Sequence, residues 1–240
     1  MRLGAAGGFK RLEMILETET KNPAITALID LIIVIAVLVV VKQSVLLYSV
    51  VYGGPASTFT AMVVATYLLH RRGFSWAELG FRWPESWLKT LAWTALIFGA
   101  IIITAAGANW FAGLFFEDIG TSGRFDFVKG SLGGYLLAMA LVWTHAAFFE
   151  ELLFRAFVIT KAESALGGFK GAGLVAAVLA AIFFGYRHYY YQGIHGAIVT
   201  GSLGLVFGLF YLKIGRRNIL PLILVHGIVN TIGMTDRYLS

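Results

Sequence analysis

Continuous apolar runs, each about as long as a bilayer is thick, follow one another from residue 24 to residue 235 with short polar breaks between them. Set against the roughly 20 residues a helix needs to cross the hydrocarbon core, they predict seven spans. These lie near 24–42, 47–69, 87–107, 130–150, 171–188, 196–213 and 218–235. The period-two alternation of a membrane β-barrel is missing. Gly53, Gly54 and Pro55 break the second run early. They predict a kink there, or a shorter span preceded by a re-entrant turn. The fourth run continues in helix-compatible sequence through Leu153 to about Ser164, with a stop at Gly167 and Gly168. No repeat, linker or low-complexity tract interrupts the chain, so residues 1–240 are expected to form a single integral membrane domain.

Ahead of the first run, residues 1–23 mix Lys10 and Arg11 with Glu13, Glu17 and Glu19 and have no small-residue cleavage site, unlike a cleavable signal. Phe9, Leu12, Ile15 and Leu16 recur at helical spacing, so a cytoplasmic or interfacial segment is expected; a frayed polar terminus is the alternative. Only 13% of residues are charged and 58% are hydrophobic, against about 25% charged in a soluble domain. A multi-pass membrane protein follows. The net charge of +6 does not change this, because the basic residues sit in short loops and form no aromatic-interleaved stripe for nucleic acid. Placing the N-terminus in the cytoplasm puts most Lys and Arg inside, leaving Lys42, Arg124, Lys129, Arg187 and Arg237 outside. The absence of cysteine removes disulfides, thiolate metal sites and a cysteine nucleophile.

Ionisable residues inside the apolar runs carry the candidate chemistry. Each charge within a span costs at least about 2.5–3.5 kcal/mol, so a reaction centre or pathway is its usual reason. Glu150 and Glu151 are about 100° apart on a helix, and Arg155 follows Glu151 at the spacing of an intrahelical ion pair. That leaves Glu150 without a local partner, as suits a general base. His188 shares a helix face with Phe184, although a histidine next to Arg187 and Tyr189, Tyr190 and Tyr191 also reads as a solvated interfacial group. His226 and Asn230, at i and i+4, project together and can both donate to a developing oxyanion, or hold two helices together. His145, five residues before Glu150, is rotated away from it on an α-helix and is expected to make a structural hydrogen bond; His195 is expected to meet water. Asp30 is expected to pair with another helix.

These residues resemble the three motifs of the CPBP family of intramembrane proteases, named for CAAX proteases and bacteriocin-processing enzymes and also called the Abi family. EExxxR stands as Glu150-Glu151-Leu152-Leu153-Phe154-Arg155, FxxxH as Phe184 to His188, and HxxxN as His226 to Asn230. The resemblance covers about 130–235, the expected catalytic core, and more weakly Leu79-Gly80-Phe81-Arg82. It implies an all-α fold, a polytopic transmembrane helical bundle of seven to eight spans with a four-helix core around the site. It also implies that Glu150 and His188 activate water while His226 and Asn230 stabilise the oxyanion. Glu151, Arg155 and Phe184 then support the site, and Arg187 is a bulky charge where the family commonly has a small or apolar residue.

The implied activity is glutamate-dependent endopeptidase cleavage of membrane-associated proteins or peptides, lipidated CAAX-type proteins in the eukaryotic branch. No cofactor is required; the alternative is zinc at Glu150, His188 and His226, although no HExxH is present. A non-catalytic scaffold or bacteriocin-immunity protein that binds a peptide or protein partner is the competing function. A transporter lacks support, since no two-fold repeat is evident. One conflict remains within these expectations. The span count puts Glu150 and His226 towards the inner side and His188 at the outer end of its span. An extra turn between 155 and 175, or a re-entrant second span, would reconcile them.

Overall fold

The computed structural model describes residues 22–121 and 123–240. The surface helix expected from Phe9, Leu12, Ile15 and Leu16 lies outside the described residues. All regular structure within them is helical. Six long helices follow in order: α1 (Pro23–Leu46), α2 (Gly53–Arg71), α3 (Trp87–Gly113), α4 (Leu132–Ala165), α5 (Ala172–Gly215) and α6 (Leu220–Leu239). Asn22 caps α1 through the Ile25 amide, with Pro23 at its first position, where a missing N–H costs nothing. Ser86 and Ser131 cap α3 and α4 in the same way.

Four helices, α1, α3, α4 and α5, are long and apolar enough to cross a membrane. The finer expectation of seven to eight spans is not reproduced by that criterion, for two physical reasons. Helices α2 and α6 carry too many Gly, Thr, His and Asn residues, and α5 contains two expected runs in one element. Gly53, Gly54 and Pro55 do not kink the second run; they begin α2.

Helix α5 folds back on itself at Gly193, whose φ of 63° and ψ of −168° fall in a region essentially reserved for glycine. Gly185 then faces Ala197 and Gly201, Gly204 faces Ala181, and Gly208 faces Ala177. The two halves approach so closely that a Cβ on Gly185 would stand 2.5 Å from the Ala197 carbonyl oxygen. Small residues drive this association because lipid tails give no hydrophobic incentive for larger ones to pack together.

Helix α4 is the centre of the bundle and packs against α1, α2, α5 and α6. From Glu150 to Ile159 every residue is buried, as expected of a helix with neighbours on all sides. Its stretches Val142–Phe149 and Glu151–Ile159 are wound as π-helix, a rare winding that recurs at functional sites. At one end of the bundle the buried Asp30 of α1 accepts from Arg72 after α2 (3.1 Å) and from Lys161 of α4 (2.7 Å), pinning three elements together. Nearby, the Leu79-Gly80 stretch docks on the turn before α6. The Gly80 carbonyl accepts from the Ile219 amide and the Tyr211 hydroxyl donates to the Leu79 carbonyl. Gly80, at φ 106°, leaves no room for a Cβ, which would lie 1.9 Å from the Gly215 carbonyl oxygen.

Candidate active site

One cavity of about 410 Å³ is lined by Glu150, His188, His226 and Asn230 together, with Phe184 between them. The expected conflict between motifs and topology disappears because α4 does not end at Glu150. Glu150 lies roughly 20 Å along α4 from the turn that joins it to α5, and His188 lies roughly 20 Å along α5 from the same turn, at about 1.5 Å per residue. The two side chains are therefore level, and the hairpin at Gly193 begins just beyond His188.

Glu150 is 4% exposed. His145 Nε2 stands 3.4 Å from one of its carboxylate oxygens. This corrects the expectation that His145 points elsewhere. With i→i+5 winding through 142–149, residues five apart come to lie near one another, which α-helical spacing does not allow. The carboxylate also sits in the electrostatic field of His188, His226 and Arg187.

His188 has one nitrogen fixed: Nδ1 lies 2.7 Å from the Phe184 carbonyl oxygen. A carbonyl only accepts, so Nδ1 carries a proton there and neutral His188 presents Nε2 as a lone pair. His226 is held likewise, with Nδ1 2.8 Å from Glu151 Oε1. The same oxygen lies 3.2 Å from Arg155 Nη1, the intrahelical ion pair expected from the spacing. Glu151 therefore links Arg155 to His226. Phe184 and Phe207 complete the shell: the His226 ring stacks on Phe207 at 5.6 Å, and the Arg155 guanidinium lies 4.5 Å from the Phe184 ring. Helix α6 meets α4 so tightly at Gly227 that a Cβ would stand 2.4 Å from the Trp143 ring.

Several residues read as membrane-edge groups are part of this site instead. Arg187 is buried, donating to the Leu38 carbonyl (3.1 Å), Ser57 Oγ (3.1 Å) and Thr58 Oγ1 (3.3 Å), so it clamps α5 to α1 and α2. Lys42 donates to the Arg187 carbonyl and lies 3.9 Å from the centre of the Tyr190 ring. Lys42, Arg124, Arg187 and Arg237, four cations assigned to the outer side by loop counting, all line the cavity. The usable signal was Lys42 closing an apolar run; for Arg124, far away in a loop, the sequence carried none. His195 is buried rather than water-exposed, with Asp118 3.9 Å away. Among the described residues no three His, Asp or Glu side chains converge as a metal-ligand set.

No curated protein and no solved structure matches the chain. A family model does match, over residues 132–232, and its description is Type II CAAX prenyl endopeptidase Rce1-like. The matched stretch runs from the start of α4 into α6 and contains all three motifs. It agrees with the four apolar helices in indicating an integral membrane protein. Over residues 132–232 the chain is thus similar to the CAAX-type intramembrane protease family.

Proposed function

We propose that the chain is an intramembrane endopeptidase that hydrolyses a peptide bond of a membrane-associated, CAAX-type protein or peptide with Glu150 as general base. One observation carries this reading: a buried carboxylate with a single histidine contact faces a cavity shared with His188, His226 and Asn230. A water held between the Glu150 carboxylate and His188 Nε2 donates to both and attacks the scissile carbonyl carbon. Its proton passes to Glu150, and negative charge develops on the carbonyl oxygen. Asn230 donates to that oxygen through its amide. His226, whose Nδ1–H is committed to Glu151, donates from Nε2 as the imidazolium. Glu150 then returns the proton to the departing amine as the C–N bond breaks, giving a new carboxyl end and a new amino end.

The test compares protein termini by mass spectrometry in membranes of cells expressing wild type or Glu150→Gln at equal levels. Termini that appear only with wild type are expected, and they name the substrate. Identical termini with the biological phenotype kept by the variant would leave a scaffold or immunity protein in place of the enzyme. Loss of the wild-type termini in purified membranes on adding a zinc chelator, with recovery on adding zinc back, would replace the base mechanism by a metal one.

A further inference from the structure

Three histidines line the Glu150 cavity, and two of them have a fixed partner. His188 is tied to the Phe184 carbonyl and His226 to Glu151. The third, His145, has its Nε2 buried and in no formed hydrogen bond among the described residues. A buried polar atom left in that state costs free energy and calls for a reason. Glu150 has the complementary shortage. Among the described residues no side-chain or backbone donor makes a hydrogen bond to its buried carboxylate, although a buried charge is ordinarily hydrogen-bonded. His145 Nε2, at 3.4 Å, is the one Lys, Arg or His nitrogen within ion-pairing distance of it among those residues. That is a few tenths of an ångström longer than an N–H···O bond of about 2.7–3.2 Å. Catalytic hydrogen bonds are commonly long before substrate binds and tighten when it does.

The backbone holds the two side chains in this relation. The Glu150 amide donates to the His145 carbonyl, an i→i+5 bond that closes the π stretch Val142–Phe149. In α-helical winding residues five apart diverge, so the π turn is what brings the imidazole to the carboxylate. On its other side the ring is backed by the start of α2. A Cβ on Gly54 would already stand 3.7 Å from His145 Cε1 and Nε2 and 3.2 Å from Arg124 Nη2. The imidazole therefore has little room to swing away from Glu150 towards α2. An unprotonated carboxylate can only accept. Two forms of His145, the neutral Nε2–H tautomer and the imidazolium, donate to it from Nε2. The Nδ1–H tautomer would set two lone pairs against each other in a buried contact.

We propose that His145 is a positioning residue whose Nε2–H donates to one oxygen of Glu150 and fixes the carboxylate plane, so that the other oxygen faces the water shared with His188. Its effect on turnover rests on the proteolytic reading above, whereas the contact itself is measurable without substrate. The first measurement is nitrogen NMR of the purified full-length protein in lipid nanodiscs with isotope-labelled histidine, His145 being assigned by its loss in His145→Gln. His145 is expected to carry a proton on Nε2, with a shift that changes in Glu150→Leu. An unprotonated Nε2, or a signal indifferent to Glu150→Leu, would overturn the contact whether or not any peptide is cut. The second measurement follows cleavage of an internally quenched, S-farnesylated CAAX peptide. A glutamine amide nitrogen stands where Nε2 does, and that of asparagine where Nδ1 does. His145→Gln should therefore keep most of the wild-type kcat. His145→Asn and His145→Phe should each lower kcat about tenfold to hundredfold with KM little changed, the range of one hydrogen bond to a charged group. Equal losses in Gln and Asn variants of the same thermal stability, or a raised KM with kcat kept, would overturn the positioning role and leave Glu150 as the base. If wild type cuts nothing, the proteolytic reading fails for this substrate and the NMR result alone decides the contact.

Discussion

Two clusters of buried charge lie in this bundle, and they are built on opposite plans. In the cluster at Asp30 both carboxylate oxygens are occupied, one by Arg72 and the other by Lys161, and the acid is fully buried. In the cluster at Glu150 the acid has one histidine at 3.4 Å, an open cavity in front of it, and surrounding cations that pair with backbone and hydroxyl oxygens instead. Both plans incur the cost of desolvating charge. Only the first recovers most of it in direct ion pairs. The second leaves interaction capacity unfilled, which is what a site needs if substrate and transition state are to fill it. Pairing, not burial, is what differs between the two clusters.

The comparison can be broken at its extremes. Glu150→Gln removes the proposed base while keeping shape, so kcat should fall by about 10²–10⁴-fold with the unfolding temperature within a few degrees of wild type. Turnover of the variant within tenfold of wild type would sink the assignment of Glu150. Asp30→Ala should do the reverse. It strands Lys161 in the interior, with an expected loss of about 3–5 kcal/mol in stability. The protein that remains folded should keep its KM and kcat. A kcat loss without destabilisation would mean the two clusters are not separate.

Glu151 lies between the two plans, since one oxygen serves both Arg155 and His226. Glu151→Gln should therefore show both symptoms, roughly a tenfold to hundredfold drop in kcat and a stability loss of about 1–3 kcal/mol. An effect confined to stability would show that His226 needs no anionic partner. The smallest effect is expected at Glu163→Gln, which breaks the half-exposed pair with Arg216. It should change stability by less than about 1 kcal/mol and leave turnover alone. A larger loss in denaturant unfolding would mean that partial exposure does not weaken charge pairing in this bundle.

Much of this could be read directly along the chain. The helical class, the extension of α4 to about Ser164 before Gly167 and the Glu151–Arg155 pair follow from run length or fixed spacing, the three motifs from their resemblance to a family, and the pairing of Asp30 with another helix only from its place inside a span. Other features were hidden by the assumption of uniform α-helix. His145 meets Glu150 only through π winding, and no side-chain pattern announces that winding. Counting loop charges did not reveal that Lys42, Arg124 and Arg187 line a cavity, because a cation beside an apolar run looks the same in sequence whether it faces water or a cavity.

By itself, then, the sequence determined what is local. Composition required lipid as the solvent, run lengths placed the helices, and i to i+4 spacing set which side chains share a face. Only the tertiary structure decided what is not local. The glycine-only conformation at Gly193 folded the runs at 171–188 and 196–213 into a hairpin, and the length of α4 beyond Glu150 put His188 level with that residue. Glu151, outwardly the lesser of two adjacent acids, became the link between Arg155 and His226. Arg124 arrived beside the Glu150 cavity from a distant loop. Such outcomes depend on how far apart surfaces approach and which charges they leave unpaired, and those are properties of packing in three dimensions.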